Sequence, residues 1–287
     1  MNRATNFHRK VIEGFGDEWV RFDQTRLSEQ ELQAQFEGYF SIFPWHILPA
    51  DAEGFDLGCG SGRWAKLVAP RVGRLHCIDL SEAALNVARR NLAQTRNCVF
   101  HNESVDAMTL EDGAMDFGYA LGVLHHLPDT QAGLKTCVEK LKPGAPFLLY
   151  VYYSFDNRPF WFAWIWRLSN VLRGIISRFP YGLRYLSSQL IALFVYLPLA
   201  SLSRLMEVVG VRVTNMPLSA YRNRSLYSMR TDALDRLGTR LEKRFSREQI
   251  KAMMEQVGLE RIEFSPNEPF WCAVGYRCHS QIKCRIR

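Results

Sequence analysis

The chain has 287 residues, 47% hydrophobic and 13% aromatic, with a formal net charge of +7, enough for one large domain or one domain with a substantial insertion. Seven cysteines without a C-x-x-C pair exclude a disulfide framework and the common zinc spacings, so reduced thiols and no metal are expected. The opening MNRATNFHRK lacks the apolar stretch of a secretory signal, and a cytoplasmic protein is expected.

A polar N-terminal stretch with a helical pattern over 29–39 leads into short strands alternating with helices. Residues 55–57 read as a strand, 63–69 as a helix and 75–78 as a strand. Ser81 is a helix N-cap with Glu82 in the first turn, opening a helix with apolar residues at 84, 85, 87, 88 and 92. Strands follow at 98–100 and 115–120, then a helix at 130–141 and an apolar strand at 147–152 after the turn Lys142-Pro143-Gly144. Such alternation predicts βαβ units, hence a parallel sheet covered on both faces, whose ligand sits beyond the carboxyl ends of the strands. The chain ends with a helix at 245–258, capped by Ser246, and two strands at 261–264 and 270–276 that should pair as an antiparallel hairpin.

The stretch FDLGCGSGRW, residues 55–64, lies where the first strand ends. Gly58, Gly60 and Gly62 alternate there, permitting positive φ and a close backbone approach. The dinucleotide fingerprint is G-x-G-x-x-G, whereas this turn reads G-x-G-x-G with Asp56 two residues before it. That carboxylate would repel a pyrophosphate but suits a ligand with an ammonium group and no phosphate, which S-adenosylmethionine is. Asp79, 21 residues beyond Gly58 at the end of the second strand, can accept hydrogen bonds from both hydroxyls of a ribose. It would serve NAD equally well, or cap the helix at Ser81.

The chain resembles the class I S-adenosylmethionine-dependent methyltransferases of the type 11/12 group. FDLGCGSGRW is similar to their first motif, CIDLSEAAL to the acid motif of the second strand, and MDFGYALGVLHHLPDTQAGLKTCVEKLKPGAPFLLY to the block from fourth to fifth strand. FSREQIKAMMEQVGLERIEF resembles the last helix and sixth strand. The resemblance implies a Rossmann-like, doubly wound α/β fold with a mostly parallel seven-stranded sheet, an antiparallel last strand and a helical insertion after the fifth strand. It implies that Asp56, Gly58, Gly60 and Gly62, with Cys59 and Ser61 of the same turn, surround the methionine moiety of the cofactor S-adenosyl-L-methionine. Asp79 would hold the ribose, Leu80 would lie against the adenine, and the backbone of Leu121 would meet the methionine amine. Where the family commonly places an acid after the third strand, this chain has Ser104; Val105 still offers its N–H there, and Asp106 is a substitute acid.

His125 and His126 follow the fourth strand at the mouth of the expected site. They are the candidate catalytic bases, or one of them packs the loop before Pro128. Tyr152 and Tyr153, after the fifth strand, face either the acceptor or the core. ALGVLHH stands where nucleic-acid base methyltransferases of this fold carry an Asn/Asp-Pro-Pro-Tyr-like motif, so nucleic acid is not expected as a partner.

Four regions follow: 1–50, a helical segment over the site; 51–153, the cofactor-binding core; 154–230, an insertion; and 231–287, the last helix and strand pair. The basicity belongs to the insertion. Residues 155–230 hold ten arginines, no lysine and two acids, Asp156 and Glu207, leaving −1 for the rest of the chain, together with 13 of the 36 aromatic residues. Its apolar residues at 161, 164, 165, 168, 171, 172, 175 and 176 fall on one helical face. The uncharged run 185–203 is interrupted by Ser187, Ser188, Gln189 and Pro198 and is not expected to span a membrane. The insertion is therefore read as a lid over an apolar, lipid-like or anionic small-molecule acceptor, a homodimer interface, or a reversible peripheral contact with an anionic membrane at its inner surface. O-methylation of a small biosynthetic intermediate is the leading expectation; a scaffold that has lost catalysis and an NAD-dependent oxidoreductase are the alternatives.

Overall fold

Gly54 and Gly118 stand on neighbouring strands, each paired with a phenylalanine of the other: Gly54 with Phe117, Phe55 with Gly118. A Cβ on Gly54 would lie 2.2 Å from the Phe117 ring, and one on Gly118 2.4 Å from the Phe55 ring. Both rings are fully buried, so this reciprocal small-to-large fit fixes the register between β1 (Glu53–Leu57) and β4 (Phe117–Leu121). The computed structural model of the chain describes residues 9–239 and 241–279.

Around that pair the sheet adds β2 (Arg74–Asp79), β3 (Cys98–Asn102), β5 (Pro146–Tyr150), β6 (Leu259–Phe264) and β7 (Ala273–Arg277), in the order β3-β2-β1-β4-β5-β7-β6. β1 to β5 are mutually parallel, and β7 is antiparallel to both β5 and β6. The chain winds outward from β1 to β3 and returns to the other side of β1 with β4. That reversal of strand order leaves a crevice beyond the carboxyl ends of β1 and β4, the usual ligand position in such sheets.

The helices of this unit include α1 (Arg9–Arg21), α3 (Ala65–Val68), α4 (Glu82–Asn91), α5 (Thr130–Lys140) and α10 (Arg247–Gln256); α2 (Glu29–Phe40) continues the N-terminal segment. Their starts follow capping chemistry. Ser81 accepts from Ala84 N–H at 3.3 Å and Asp129 from Ala132 N–H at 2.9 Å, while Ser246 and Gln249 form a reciprocal capping box. Phe55, Ile78, Leu124, Leu134, Phe147 and Ile250 belong to the core between sheet and helices.

The chain divides into two compact units, the second comprising Thr25–Leu32 and Ser154–Arg240. It contains α6 (Phe160–Ile176), α7 (Tyr181–Ile191), α8 (Leu197–Val208) and α9 (Leu226–Gly238). The insertion therefore extends beyond residue 230, because α9 carries the apolar face on which the others pack: Met229 and Ala233 meet Ala192, Tyr196 and Ala200. Glu31 joins the unit by accepting from Ser225 N–H at 3.1 Å and Ser228 Oγ at 2.6 Å.

Between α7 and α8 the backbone takes one π-helical turn, Ala192–Tyr196. Pro198 has no N–H to donate, and a widened turn before it lets the helix continue. The result is a 28-residue helix, Tyr181–Val208, long and apolar enough by composition to cross a membrane, with a mean hydropathy of 1.6 over its most apolar window. Ser188 is fully buried within the unit, so a polar interruption faces the protein and leaves the outer face continuous. Among the described residues, Cys59, Cys77, Cys98, Cys137 and Cys272 are free thiols.

Candidate functional site

The glycine turn is held by the end of the neighbouring strand. Gly58 and Cys59 both donate to Ile78 O, at 2.7 and 3.1 Å, and Gly60 donates to Asp79 Oδ2 at 2.9 Å. Gly58, Gly60 and Gly62 all adopt positive φ, at 71°, 53° and 75°, which other residues reach only with strain. Their missing side chains are also filled by protein. A Cβ would meet Val123 at Gly58, Trp19 at Gly60 and Leu92 at Gly62, each within 3 Å. The bare backbone thus seats α1, α4 and the loop after β4 against the turn, a role the sequence did not reveal.

Space for a ligand opens one strand away. Gly122, directly after Leu121, has φ +81° and nothing within 4 Å of where a Cβ would stand. Leu121 is half-buried at the carboxyl end of β4, and Gly122 N–H is fixed to Tyr150 O at 3.0 Å. Close to this opening, Val123 lies against Gly58, so the turns after β1 and β4 meet.

Asp56 is buried, and its Oδ2 has no hydrogen-bond partner. Desolvation raises its pKa to about 8, eased by the Tyr119 hydroxyl and reinforced by the charge of Asp79. Ser61 Oγ, in the same turn, is likewise buried and unpartnered. Orphaned buried polar atoms are costly. An ammonium-bearing ligand would relieve the cost at Asp56, so this pair fits the methionine end of the expected cofactor.

Asp79 is half-exposed at the end of β2. Its Oδ1 accepts from Ser81 N–H at 2.8 Å while its Oδ2 holds Gly60. Burial raises its pKa, and the N–H groups of Ser81 and Gly60 oppose the rise. Both oxygens retain a second lone pair, which leaves room for two ribose hydroxyls. Asn102 Nδ2 clamps the adjacent carbonyls of Asp79 and Leu80, both at 3.1 Å. Leu80 is half-buried; Ser104 precedes a short 3₁₀ turn without a side-chain capping hydrogen bond, and the turn's first residue, Val105, is buried in the core. Glu103 is occupied by Thr109, through its N–H at 2.9 Å and Oγ1 at 2.7 Å.

The structure separates the two histidines. Both lie in the 3₁₀ turn Leu124–His126. His125 is fully buried with neither ring nitrogen partnered, and its ring lies 3.9 Å from those of Tyr152 and His126. Desolvation, with His126 and Arg244 adding to it, holds its pKa well below the ordinary imidazole value. His126 Nδ1 lies 2.7 Å from Leu241 O. A carbonyl only accepts, so that nitrogen carries a proton; Nε2 is buried and unpartnered and presents a bare lone pair in whichever form of the ring holds a single proton.

Tyr152 and Tyr153 lie just past the end of β5, both half-buried. Phe245 N–H bonds Tyr152 O at 2.9 Å, and Tyr153 pairs with Phe245 as an isolated bridge. The segment 241–245 was missed in the sequence. Arg244 lies over the Tyr152 ring at 5.1 Å, donates to Tyr153 O at 3.2 Å and pairs with Glu242 at 2.8 Å. The Glu242 side chain is only 2% exposed, and its Oε2 has no partner. No local signal marks it, because its burial depends on a strand end some ninety residues earlier.

Residues 55–144 match the profile of a family described as a methyltransferase domain. Over 151 residues the chain is 31% identical to a ubiquinone biosynthesis O-methyltransferase of Albidiferax ferrireducens, covering 49% of this chain and 58% of that protein. An enzyme of the same name from Xanthomonas axonopodis pv. citri is 26% identical over 149 residues, covering 51% and 62%. The match thus spans about three-fifths of these relatives. Among solved structures, the CurJ carbon methyltransferase superposes with a TM-score of 0.54 at 12% identity, covering 92% of this chain and 59% of that one. A methyltransferase of Thermotoga maritima gives 0.50 at 11% identity, covering 93% and 99%; both likenesses concern the fold. The family match over residues 55–144 is to a methyltransferase domain, and the strand order and positive-φ glycine turn of this chain agree with that likeness.

Proposed function

We propose that the chain transfers a methyl group from S-adenosylmethionine to an oxygen of a small apolar or lipid-linked biosynthetic intermediate. The observation that carries this reading is the buried Asp56 carboxylate, whose Oδ2 has no hydrogen-bond partner, on the strand beside the one that ends at the open Cβ position of Gly122, inside the matched domain. Asp56, Ser61 and the Leu121–Gly122 backbone would hold the methionine end, with Asp79 on the ribose and Leu80 and Val105 beside the adenine. When bound, the cofactor supplies an electrophilic methyl group. The protein's share is to orient the acceptor in line and accept its proton.

His126 is the better proton acceptor of the two histidines, because Leu241 O fixes the tautomer that leaves Nε2 bare. His125, without a polar partner, packs between its neighbours. The preference for oxygen rests on the names of the relatives, and the proposed setting is cytoplasmic, peripheral at the inner membrane surface. Incubation with methyl-labelled S-adenosylmethionine and a panel of hydroxylated aromatics with and without apolar tails tests it. Label should enter an ether with at least one tailed acceptor. Cofactor binding without label transfer to any acceptor, or label found on nitrogen or carbon only, would refute the O-methylation reading.

A further inference from the structure

In the second unit, α6 and the helix Tyr181–Val208 turn most of their bulky apolar side chains outward, while Met229, Leu234 and Leu237 of α9 are buried. Along Tyr181–Val208 the stripe turned inward is mostly small or polar, with Tyr196 as its one bulky buried side chain: Ser188, Ala192, Ala200 and Ser203 are each at most 1% exposed. The opposite side presents Leu186, Leu190, Phe194 and Leu205, from 47% to 69% exposed. α6 repeats the inversion. Its one-sided apolar face is uncovered, with Trp164 and Leu168 at 64% and 74% exposed, while Arg173 on its other side donates to Thr239 O at 2.7 Å. A helix that packs through small residues and turns large apolar ones outward is built for a hydrocarbon environment rather than for water.

Charge identifies the kind of hydrocarbon surface. Arg167, Arg178, Arg204 and Arg212 are exposed on the same unit, and Glu207, one of the two acids in 155–230, is already paired with Arg222 at 2.9 Å. Arginines flanking exposed tryptophan and leucine match an anionic headgroup layer above acyl chains. We propose that α6 and the outer face of α7–α8 lie in the plane of an anionic phospholipid bilayer, inserted through their apolar side chains and held by these arginines. The buried inner stripe of Tyr181–Val208, packed on α9, makes this a contact along the surface rather than a span. The proposal does not rest on the methyl-transfer reading.

Co-sedimentation of the full chain with vesicles of phosphatidylcholine containing one-third phosphatidylglycerol tests it. Wild type should pellet with these vesicles and about tenfold less with pure phosphatidylcholine or in high salt. Trp164→Glu with Leu168→Glu should abolish pelleting while the thermal melt and S-adenosylmethionine titration stay unchanged. Should that pair fail to fold, Arg167→Gln with Arg204→Gln keeps the test: it should weaken binding to anionic vesicles and leave the residual binding to neutral ones unaltered. The proposal is overturned if wild type stays in the supernatant, if light scattering shows a dimer that the glutamate pair turns into a monomer, or if the chain resists alkaline carbonate extraction from membranes as a spanning protein does.

Discussion

Asp79 accepts the N–H of Gly60 at 2.9 Å through one carboxylate oxygen and that of Ser81 at 2.8 Å through the other. The acid expected to hold a ribose therefore also ties the glycine turn to the start of α4. Asp79→Ala would orphan two backbone donors at about 1–3 kcal/mol each, mixing lost stability with lost binding. Asp79→Asn keeps one acceptor oxygen. Denaturant melts should show the alanine variant clearly less stable than the asparagine one, while titration shows both weakened at least tenfold for S-adenosylmethionine. Equal cofactor affinity in wild type and Asp79→Asn would remove Asp79 from the site.

Gly58 and Gly122 share a positive φ but not their surroundings. A Cβ at Gly58 strikes Val123 at 2.3 Å, whereas one at Gly122 meets nothing within 4 Å. Gly58→Ala should destabilise the domain by several kcal/mol through overpacking and strain. Gly122→Ala should cost only about 1 kcal/mol of backbone strain, yet lose cofactor affinity by placing a methyl in the ligand's space. Thermal melts and titrations run side by side would check the pair; a Gly122→Ala protein with unaltered affinity contradicts the placement.

Asp56 sets a pH dependence whose sign can be worked out. Its folded pKa, about 8, lies above the ordinary 3.8, so the folded chain binds the extra proton. This contribution to stability is complete below the unfolded pKa and is lost as pH rises from there through about 8. Asp56→Asn, which cannot ionise, should raise the melting temperature above pH 8 relative to wild type and have little effect near pH 4. The same change should weaken S-adenosylmethionine, because the ammonium loses its counter-charge. Binding of the cofactor to wild type near neutral pH should release a proton, seen as a buffer-dependent heat. A buffer-independent heat would contradict the assignment.

The two histidines should respond differently. His126→Gln should lower kcat by about 10²–10⁴ with cofactor affinity intact, and His125→Phe should retain most activity because the ring contacts with Tyr152 survive. Glu242→Gln should lower the melting temperature, because it leaves the Arg244 guanidinium without its buried counter-charge; an unchanged melt would show that the pair adds nothing to the fold. A larger loss of turnover in His125→Phe than in His126→Gln would reverse the roles.

Sequence patterns revealed those parts of the fold that are locally encoded. Ser81 and Ser246 cap where expected because a hydroxyl and the third amide of a helix meet within one turn; the short apolar runs locate the strands, whereas the seven-stranded sheet with its antiparallel last strand was implied by the family resemblance, and the strand order comes from the structure. The glycine turn was legible as a site, but the reason for its bareness was only half visible: Trp19, Val123 and Leu92 fill the vacated positions from distant segments. For the same reason the Glu242–Arg244 segment went unseen. In the insertion, periodicity located the apolar face of α6 but said nothing of its direction, and the structure turns it outward.

Calorimetric titration of the purified wild-type chain with S-adenosylmethionine and, separately, with NAD tests the central claim most directly. The account predicts one site for S-adenosylmethionine with a Kd on the order of micromolar, lost on Gly122→Ala, and no heat with NAD. Binding of NAD with equal affinity, or S-adenosylmethionine affinity that neither Asp56→Asn nor Gly122→Ala changes, would contradict it.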